Sequence, residues 1–257
     1  MQKVVSELVC EGVRRIWLNV PERRNAVDAE MLSALLQELR ASEADNGIRA
    51  VVLRGKGGNF CAGRAMDAAS SEANAQDGRI AISTELACFM QQTTLATVSV
   101  VEGYAVGVGM SLAIWCDIAI AATTATFLAP ELERGIPPTV TAATLLRTVP
   151  EKRAMWMLLT GSKVVADDAE KWGLVAEVVA VDRVAEREAE ISARLGEASP
   201  SALRSFKKFK NEIAPMGWRE AMEVAHRTSM SAVVTDDARE GARAFRERRK
   251  PIWAKLV

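Results

Sequence analysis

Residues 98–129 are almost all small or apolar, and this run restricts the fold more than any other stretch of the chain. Acidic side chains interrupt it at Glu102 and Asp117. The pieces between them are shorter than the roughly 20 apolar residues that a membrane-spanning helix needs. Small and β-branched residues in such pieces are typical of buried strands and of short helices packed closely on them. We therefore predict a soluble chain with a buried core here and no membrane partner.

Strand-like and helix-like segments alternate through about three quarters of the chain, which predicts an α/β fold. Residues 4–18 have the alternation of two strands joined near Glu11 and Gly12. Asp28 is a plausible N-cap for a helix with an apolar stripe that ends near Asn46. Residues 62–80 are small and polar and predict a mobile loop, with a helix resuming over 81–92. From Arg183 onward helical patterns dominate.

Charge and cysteine usage exclude several classes of function. Lys plus Arg and Asp plus Glu both number 33, so the net charge is zero and no nucleic-acid partner is expected. The FKKFK stretch at 206–210 predicts a solvated helix with both phenylalanines buried rather than an RNA contact. The cysteines have no CxxC spacing and no neighbouring histidine, so we expect no metal site, no disulfide framework and a cytoplasmic location; they are Cys10, Cys61, Cys88 and Cys116.

Three glycines precede a short apolar helix in GYAVGVGMSLAIWCD at 103–117. A dinucleotide-binding G-x-G-x-x-G would need a third glycine at Leu112, so that interpretation fails. Glycines in such a turn can let unpaired backbone N–H groups approach a reacting oxygen, or can merely permit close packing of the helix on a strand. From these residues alone both interpretations stay open.

A set of motifs in one order resembles the enoyl-CoA hydratase/isomerase (crotonase) family over nearly the whole chain. The matching stretches are PERRNAVD at 21–28, FCAGRAM at 60–66, EGYAVGVGMSLAIWCDIAIA at 102–121, ATFLAPELERGIPP at 125–138, LLTG at 158–161, WGLVAEVV at 172–179 and FRERRKPIW at 245–253. The resemblance implies a spiral of strand-strand-helix turns over 1–195 that binds acyl-CoA, and a C-terminal helical trimerisation segment over 196–257. It also implies a homotrimer or hexamer.

Family members stabilise the enolate of an acyl-CoA thioester with two backbone N–H donors. By the match to the motifs these would be the N–H groups of Arg64 and Val108, which form the oxyanion hole and need no particular side chain. Ala62, Gly63, Met66 and Gly107 would shape the turns around the substrate. The resemblance further implies that Arg24 and Ala26, together with Phe245 and Arg248, bind CoA, the latter two often from a neighbouring subunit. No metal and no cofactor other than the CoA of the substrate is expected.

The chain departs from the hydratase pattern at one catalytic position. Hydratases of the family usually carry two glutamates; the second matches Glu131, while the first falls at Ser111, which is not an acid. One carboxylate must then activate the water and afterwards deliver a proton to the α-carbon, or Ser111 must position the water. A single carboxylate is enough to carry a proton between two carbons, as in double-bond isomerases.

The resemblance leaves several activities open. The leading hypothesis is an enoyl-CoA hydratase of fatty acid metabolism with Glu131 as the catalytic group, and the closest alternative is an enoyl-CoA isomerase. Some aromatic acyl-CoA hydratase-lyases keep only the second glutamate, but they use a C-terminal tyrosine, whereas this chain has only Tyr104. A protein of another class, which binds CoA thioesters with little catalysis, is the remaining alternative.

Overall fold

The computed structural model describes residues 2–65 and 73–253, and for residues 73–79 it describes the backbone only. The strands are β1 Val4–Cys10, β2 Val13–Leu18, β3 Ala50–Gly55, β4 Ala96–Val101, β5 Tyr104–Val106, β6 Ile118–Ala122, β7 Thr126–Leu128, β8 Val164–Val165 and β9 Glu177–Val179. The helices are α1 Ala29–Ala44, α2 Ala73–Gln92, α3 Val108–Ile114, α4 Thr139–Thr148, α5 Glu151–Thr160, α6 Ala166–Lys171, α7 Val184–Glu197, α8 Pro200–Ile213, α9 Trp218–Ala232 and α10 Asp236–Glu247.

A six-stranded sheet forms the centre of the fold, in the order β1-β2-β3-β4-β6-β9. Only the β1–β2 pair is antiparallel; the remaining pairs are parallel. Helices cover both faces, so the inner strands are buried and read as continuous apolar runs such as AVVL in β3. A second sheet of three short strands, in the order β5-β7-β8, lies beside it. The predicted α/β class is confirmed.

Helix α1 forms as its sequence predicts. The Asp28 carboxylate accepts the Met31 N–H at 2.9 Å and so caps the first turn. The apolar stripe of the helix, spaced three and four residues apart, is buried against the sheet. Lys3 donates to the same Asp28 carboxylate at 2.7 Å, which ties the start of the helix to the strand β1.

The prediction of a loop over 62–80 is wrong for its second half, because α2 begins at Ala73. Leu86 and Met90 in the later turns are buried in the core. We attribute the helix to this tertiary packing, since residues 73–80 carry too few apolar positions for a helical period to show in the sequence.

None of the helices within the described ranges has the length and apolar composition needed to cross a bilayer.

The face of α8 that packs inward also differs from the prediction. Phe206 is 62 % exposed, whereas Lys207 is only 3 % exposed. The Lys207 ammonium contacts both carboxylate oxygens of Asp117, at 2.6 and 2.5 Å, and Asp117 also accepts the N–H and the hydroxyl of Thr97. Burial lowers the pKa of Lys207, and the hydrogen bond to Asp117 opposes that shift. This ion pair accounts for the buried position of Lys207 on the inward face of α8.

We expect Asp117→Ala to destabilise the protein by about 3 kcal/mol, because it leaves the Lys207 ammonium buried without a counter-charge. Lys207→Met should cost less than about 1 kcal/mol, since Asp117 keeps its two bonds from Thr97 and methionine fits the apolar stem of the lysine. Urea unfolding of both variants measures the difference. Equal losses for the two variants would contradict the ion-pair account.

Candidate active site

Two turns at the carboxyl end of the parallel strands lie against each other. The first follows β3 and spans residues 56–65; the second follows β5 and leads into α3. Backbone hydrogen bonds hold them in register: Cys61 N–H donates to the Tyr104 carbonyl at 2.9 Å, and Val106 N–H donates to the Cys61 carbonyl at 3.0 Å. The carboxyl edge of a parallel sheet is where ligands usually bind in α/β folds.

The glycines of the two turns permit this close approach. A Cβ on Gly63 would lie 2.8 Å from the Val106 carbonyl oxygen, and one on Gly109 would lie 2.4 Å from the Cys61 carbonyl oxygen. Gly63 has φ of +89° and Gly107 has φ of +52°, a region that side chains rarely adopt. Glycine is therefore required here both for conformation and for space.

Two backbone N–H groups remain free at the point where the turns meet. Within the described part of the chain, neither Arg64 N–H nor Val108 N–H donates to a backbone or side-chain acceptor. Val108 is the first residue of α3, where helix geometry leaves the amide without an internal partner. The neighbouring amides are used, since Gly107 N–H donates to the Leu128 carbonyl and Ala65 N–H donates to the Val27 carbonyl.

A cavity opens at these two amides. Gly63, Arg64, Gly107, Val108 and Glu131 are among its lining residues. The loop after β7 contributes Glu131, which begins a single 3-10 turn, Leu132–Arg134. A Cβ on Gly107 would lie 2.8 Å from Glu131 Oε1, so the carboxylate lies directly beside the second glycine turn.

The two oxygens of the Glu131 carboxylate have different environments. Oε1 accepts the Thr141 hydroxyl at 2.6 Å. Oε2 is buried and has no hydrogen-bond partner among the described groups. A buried, unpartnered carboxylate oxygen costs about 1–3 kcal/mol or more, so it is rare in a purely structural position and marks a candidate reactive atom. Sequence reasoning identified Glu131 but missed Thr141, which has no recognisable signal outside its hydrogen bond.

Ser111 does not line the cavity in the described part of the chain. Its side chain is fully buried in α3, and its hydroxyl donates to the Gly107 carbonyl at 3.3 Å. The structure therefore brings together Glu131, Arg64 and Val108 and does not bring Ser111 to them. Its assignment as a catalytic group stays a prediction.

Ser111→Ala provides a direct check of that assignment. A group that positions the attacking water should be worth about 10²–10⁴ in rate. A hydroxyl that bonds to a carbonyl of its own helix should be worth less than about tenfold. From the observed position we expect the smaller effect on kcat/KM. A loss of a hundredfold or more, with unchanged thermal stability, would mean that the hydroxyl turns into the cavity when substrate binds.

The residues expected to bind CoA lie in two places. Arg24, which is exposed, holds its guanidinium 5.6 Å from the Tyr104 ring centre, and its carbonyl accepts the Ala62 N–H; Ala26 lies in the same loop. This loop borders the first glycine turn. Phe245 lies on α10 and is 86 % exposed, and Arg248 lies at the end of this helix. Neither residue lines the cavity. Met66 lies outside the described residues.

The thiol of Cys61 is part of the first turn and is buried. Burial raises the pKa of the Cys61 thiol to about 12, so this cysteine beside the first turn is not a thiolate nucleophile. Over residues 2–65 and 73–253, no three His, Cys, Asp or Glu side chains are grouped in a way that could hold a metal ion. The groups at the described cavity include the Glu131 carboxylate and two free amides.

Comparison with known proteins agrees with this geometry. The family model described as "Enoyl-CoA hydratase/isomerase" matches residues 9–255. The chain is 33 % identical over 240 residues to a putative enoyl-CoA hydratase from Thermus thermophilus, covering 92 % of this chain and 95 % of that one. It is 31 % identical over 246 residues to the mitochondrial enoyl-CoA hydratase domain-containing protein 3 of Danio rerio, covering 95 % and 85 %.

A solved structure, that of the enoyl-CoA hydratase from Bacillus anthracis, superposes with a TM-score of 0.94 at 25 % identity, over 99 % of this chain and all of that one. The expected crotonase-like fold is therefore confirmed. The ordered motifs, the fold and the family model lead to the same conclusion: this chain belongs to the enoyl-CoA hydratase/isomerase family of enzymes.

Proposed function

We propose that this enzyme hydrates an enoyl-CoA thioester, with Glu131 as its single catalytic carboxylate. The observation that carries the proposal is that Glu131 lines the same cavity as Arg64 and Val108. Among the described groups, Glu131 Oε2 is buried without a hydrogen-bond partner, and the amides of Arg64 and Val108 are free. A thioester oxygen at those amides would accept two hydrogen bonds. Each such donor is typically worth about 10²–10³ in rate, because it stabilises the negative charge that develops on that oxygen.

In the proposed reaction, Glu131 acts twice. Its Oε2 takes a proton from a water whose oxygen attacks the β-carbon, and the electrons of the carbon–carbon double bond move toward the thioester oxygen. The enolate so formed is held by the amides of Arg64 and Val108. The protonated Glu131 then delivers its proton to the α-carbon, which restores the thioester. Thr141 keeps Oε1 fixed, so that Oε2 is the oxygen presented to substrate.

Isomerisation of the double bond is the second candidate, and one observation favours it. Among the described residues that line the cavity, Glu131 is the only carboxylate. A single carboxylate can remove a proton from the α-carbon of a 3-enoyl-CoA and return it to the γ-carbon without any water. A hydratase-lyase reaction is less well supported, because Tyr104 does not line the cavity and its ring lies under Arg24.

Absorbance of the conjugated enoyl thioester separates these candidates. Loss of the signal from a 2-enoyl-CoA supports hydration. A gain of signal from a 3-enoyl-CoA, without loss from the 2-enoyl substrate, identifies an isomerase. Tight binding of both thioesters with no turnover of either would support the alternative of a protein that binds CoA thioesters without transforming them, and would overturn the catalytic proposal.

Assembly into a trimer, or a hexamer of two trimers, is part of the same proposal. The C-terminal helices expose large apolar side chains that a second copy of the chain could cover: Phe206, Trp218, Met230, Val233, Val234 and Phe245. Phe245 and Arg248 would then reach CoA bound in a neighbouring subunit. Light scattering after gel filtration measures the oligomeric state, and a stable monomer would remove the proposed role of Arg248.

Three expectations from the sequence stay predictions: the cytoplasmic location, the absence of a metal or further cofactor, and the domain boundary near residue 195.

A further inference from the structure

Two arginines line the cavity of Glu131, and neither has a counter-charge within residues 2–65 and 80–253. Arg64 lies partly buried in the first glycine turn, whereas Arg134 is exposed and ends the 3-10 turn that Glu131 caps. Neither guanidinium forms a hydrogen bond or an ion pair with any residue in the described ranges. Of the described lining residues, these two are the only cations and Glu131 is the only anion, so the described residues together carry a charge of +1.

Elsewhere in this chain, partly buried guanidiniums receive partners. Arg15 and Arg54 share the buried carboxylate of Glu188, and Arg49 donates to the carbonyls of Gly196 and Ala198. Glu133, two residues from Glu131, does not line the cavity, and its Oε1 lies 2.6 Å from the position of a Cβ on Gly161. Desolvating an unpaired cation is unfavourable, so closure of this cavity over a neutral substrate would leave Arg64 uncompensated.

We propose that the acyl group of the substrate carries a carboxylate, which Arg64 and Arg134 bind. This inference rests on the proposed function, because it places the thioester oxygen at the Arg64 amide. The side chain of Arg64 then belongs to the surroundings of the acyl group. The phosphates of CoA are a second possible anion, but the pantetheine arm separates them from the thioester, and the arginines expected to bind them, Arg24 and Arg248, do not line this cavity.

Binding of unreactive, saturated thioesters tests the proposal without requiring turnover. Calorimetry would compare adipyl-CoA with hexanoyl-CoA, which have the same chain length and differ in the terminal carboxylate. We expect wild type to bind adipyl-CoA at least about tenfold more tightly, since a hydrogen bond to a charged group is worth roughly ten- to a hundredfold in affinity. Arg134→Met and Arg64→Met should each lower this ratio by about tenfold.

Arg147→Met is the matched control, because Arg147 is an exposed arginine on α4 that bonds only to the Ala143 carbonyl in the described part of the chain and does not line the cavity. It should leave the ratio unchanged. Equal affinities of wild type for the two ligands would overturn the proposal. An equal loss of affinity for both ligands in the arginine variants would also overturn it and would assign the guanidiniums to the CoA phosphates.

The same measurements distinguish failure of the proposed function from failure of the carboxylate proposal. If the enzyme turned over neither the 2-enoyl nor the 3-enoyl thioester, the ratio of the two dissociation constants would still report whether the carboxylate is recognised. If neither saturated thioester bound at all, both the acyl-CoA function and the carboxylate proposal would be wrong.

Discussion

Glu131→Gln should lower kcat/KM by about 10²–10⁴ and leave the protein folded. The reason is that the amide keeps the shape of the side chain but can neither take the proton from water nor return it to carbon. Thermal stability should not fall, because Gln can still accept the Thr141 hydroxyl through its carbonyl oxygen, and the buried, unpartnered Oε2 is replaced by a neutral group. Steady-state kinetics on the substrate that wild type turns over, together with a melting curve, measure both quantities.

Glu133→Gln is the matched control for this loss. It removes the same charge two residues away, in the same 3-10 turn, from a side chain that is directed toward Gly161 and does not line the cavity. Its kcat/KM should change by less than about threefold, the size of effect expected from a solvent-screened charge. If both variants lost activity equally, the effect would belong to the charge of the loop, and Glu131 would not be the proton carrier.

Gly107→Ala should abolish most of the activity for a geometric reason. A Cβ at this position would lie 2.8 Å from Glu131 Oε1, and the backbone there has φ of +52°. The methyl group must push the carboxylate away from the cavity wall or shift the turn that presents the Val108 amide. Because displacements of about 1 Å from the reacting geometry can cost about a hundredfold, we expect kcat to fall by at least that factor.

Gly135→Ala separates this contact from backbone strain. Gly135 has φ of +69° and ψ of 19°, so alanine meets the left-handed penalty of about 1–2 kcal/mol, and a Cβ there would have no atom within 4 Å. Gly107, with ψ of −118°, lies outside the left-handed region, so alanine is more strained there. We expect Gly135→Ala to lose the smaller amount of stability in urea unfolding and to keep its kcat, and Gly107→Ala to lose kcat. A comparable loss of kcat in Gly135→Ala would show that strain in these turns, not contact with Glu131, limits the reaction.

Local features of the fold were predictable from sequence because they depend on neighbours along the chain. The cap at Asp28 and the stripe of α1 follow from spacings of three and four residues, and both are present. The glycine turns were visible as short motifs, although their role came only from the resemblance to a family. The predictions of where α2 starts and of which face of α8 packs inward were wrong. Tertiary packing decides the first, and the Lys207–Asp117 ion pair contributes to the second.

By itself, the sequence determined the α/β class and the family and pointed to Glu131 as the candidate acid, since these depend on composition, period and ordered motifs. Only the tertiary structure decided which groups meet. It places Thr141 on Oε1, turns Ser111 into its own helix, and brings Arg64 and Arg134 to one cavity although 70 positions separate them in the chain. Hydrogen bonds and charge interactions act over a few ångströms in space, and distance along a chain carries no information about them until the strands are paired.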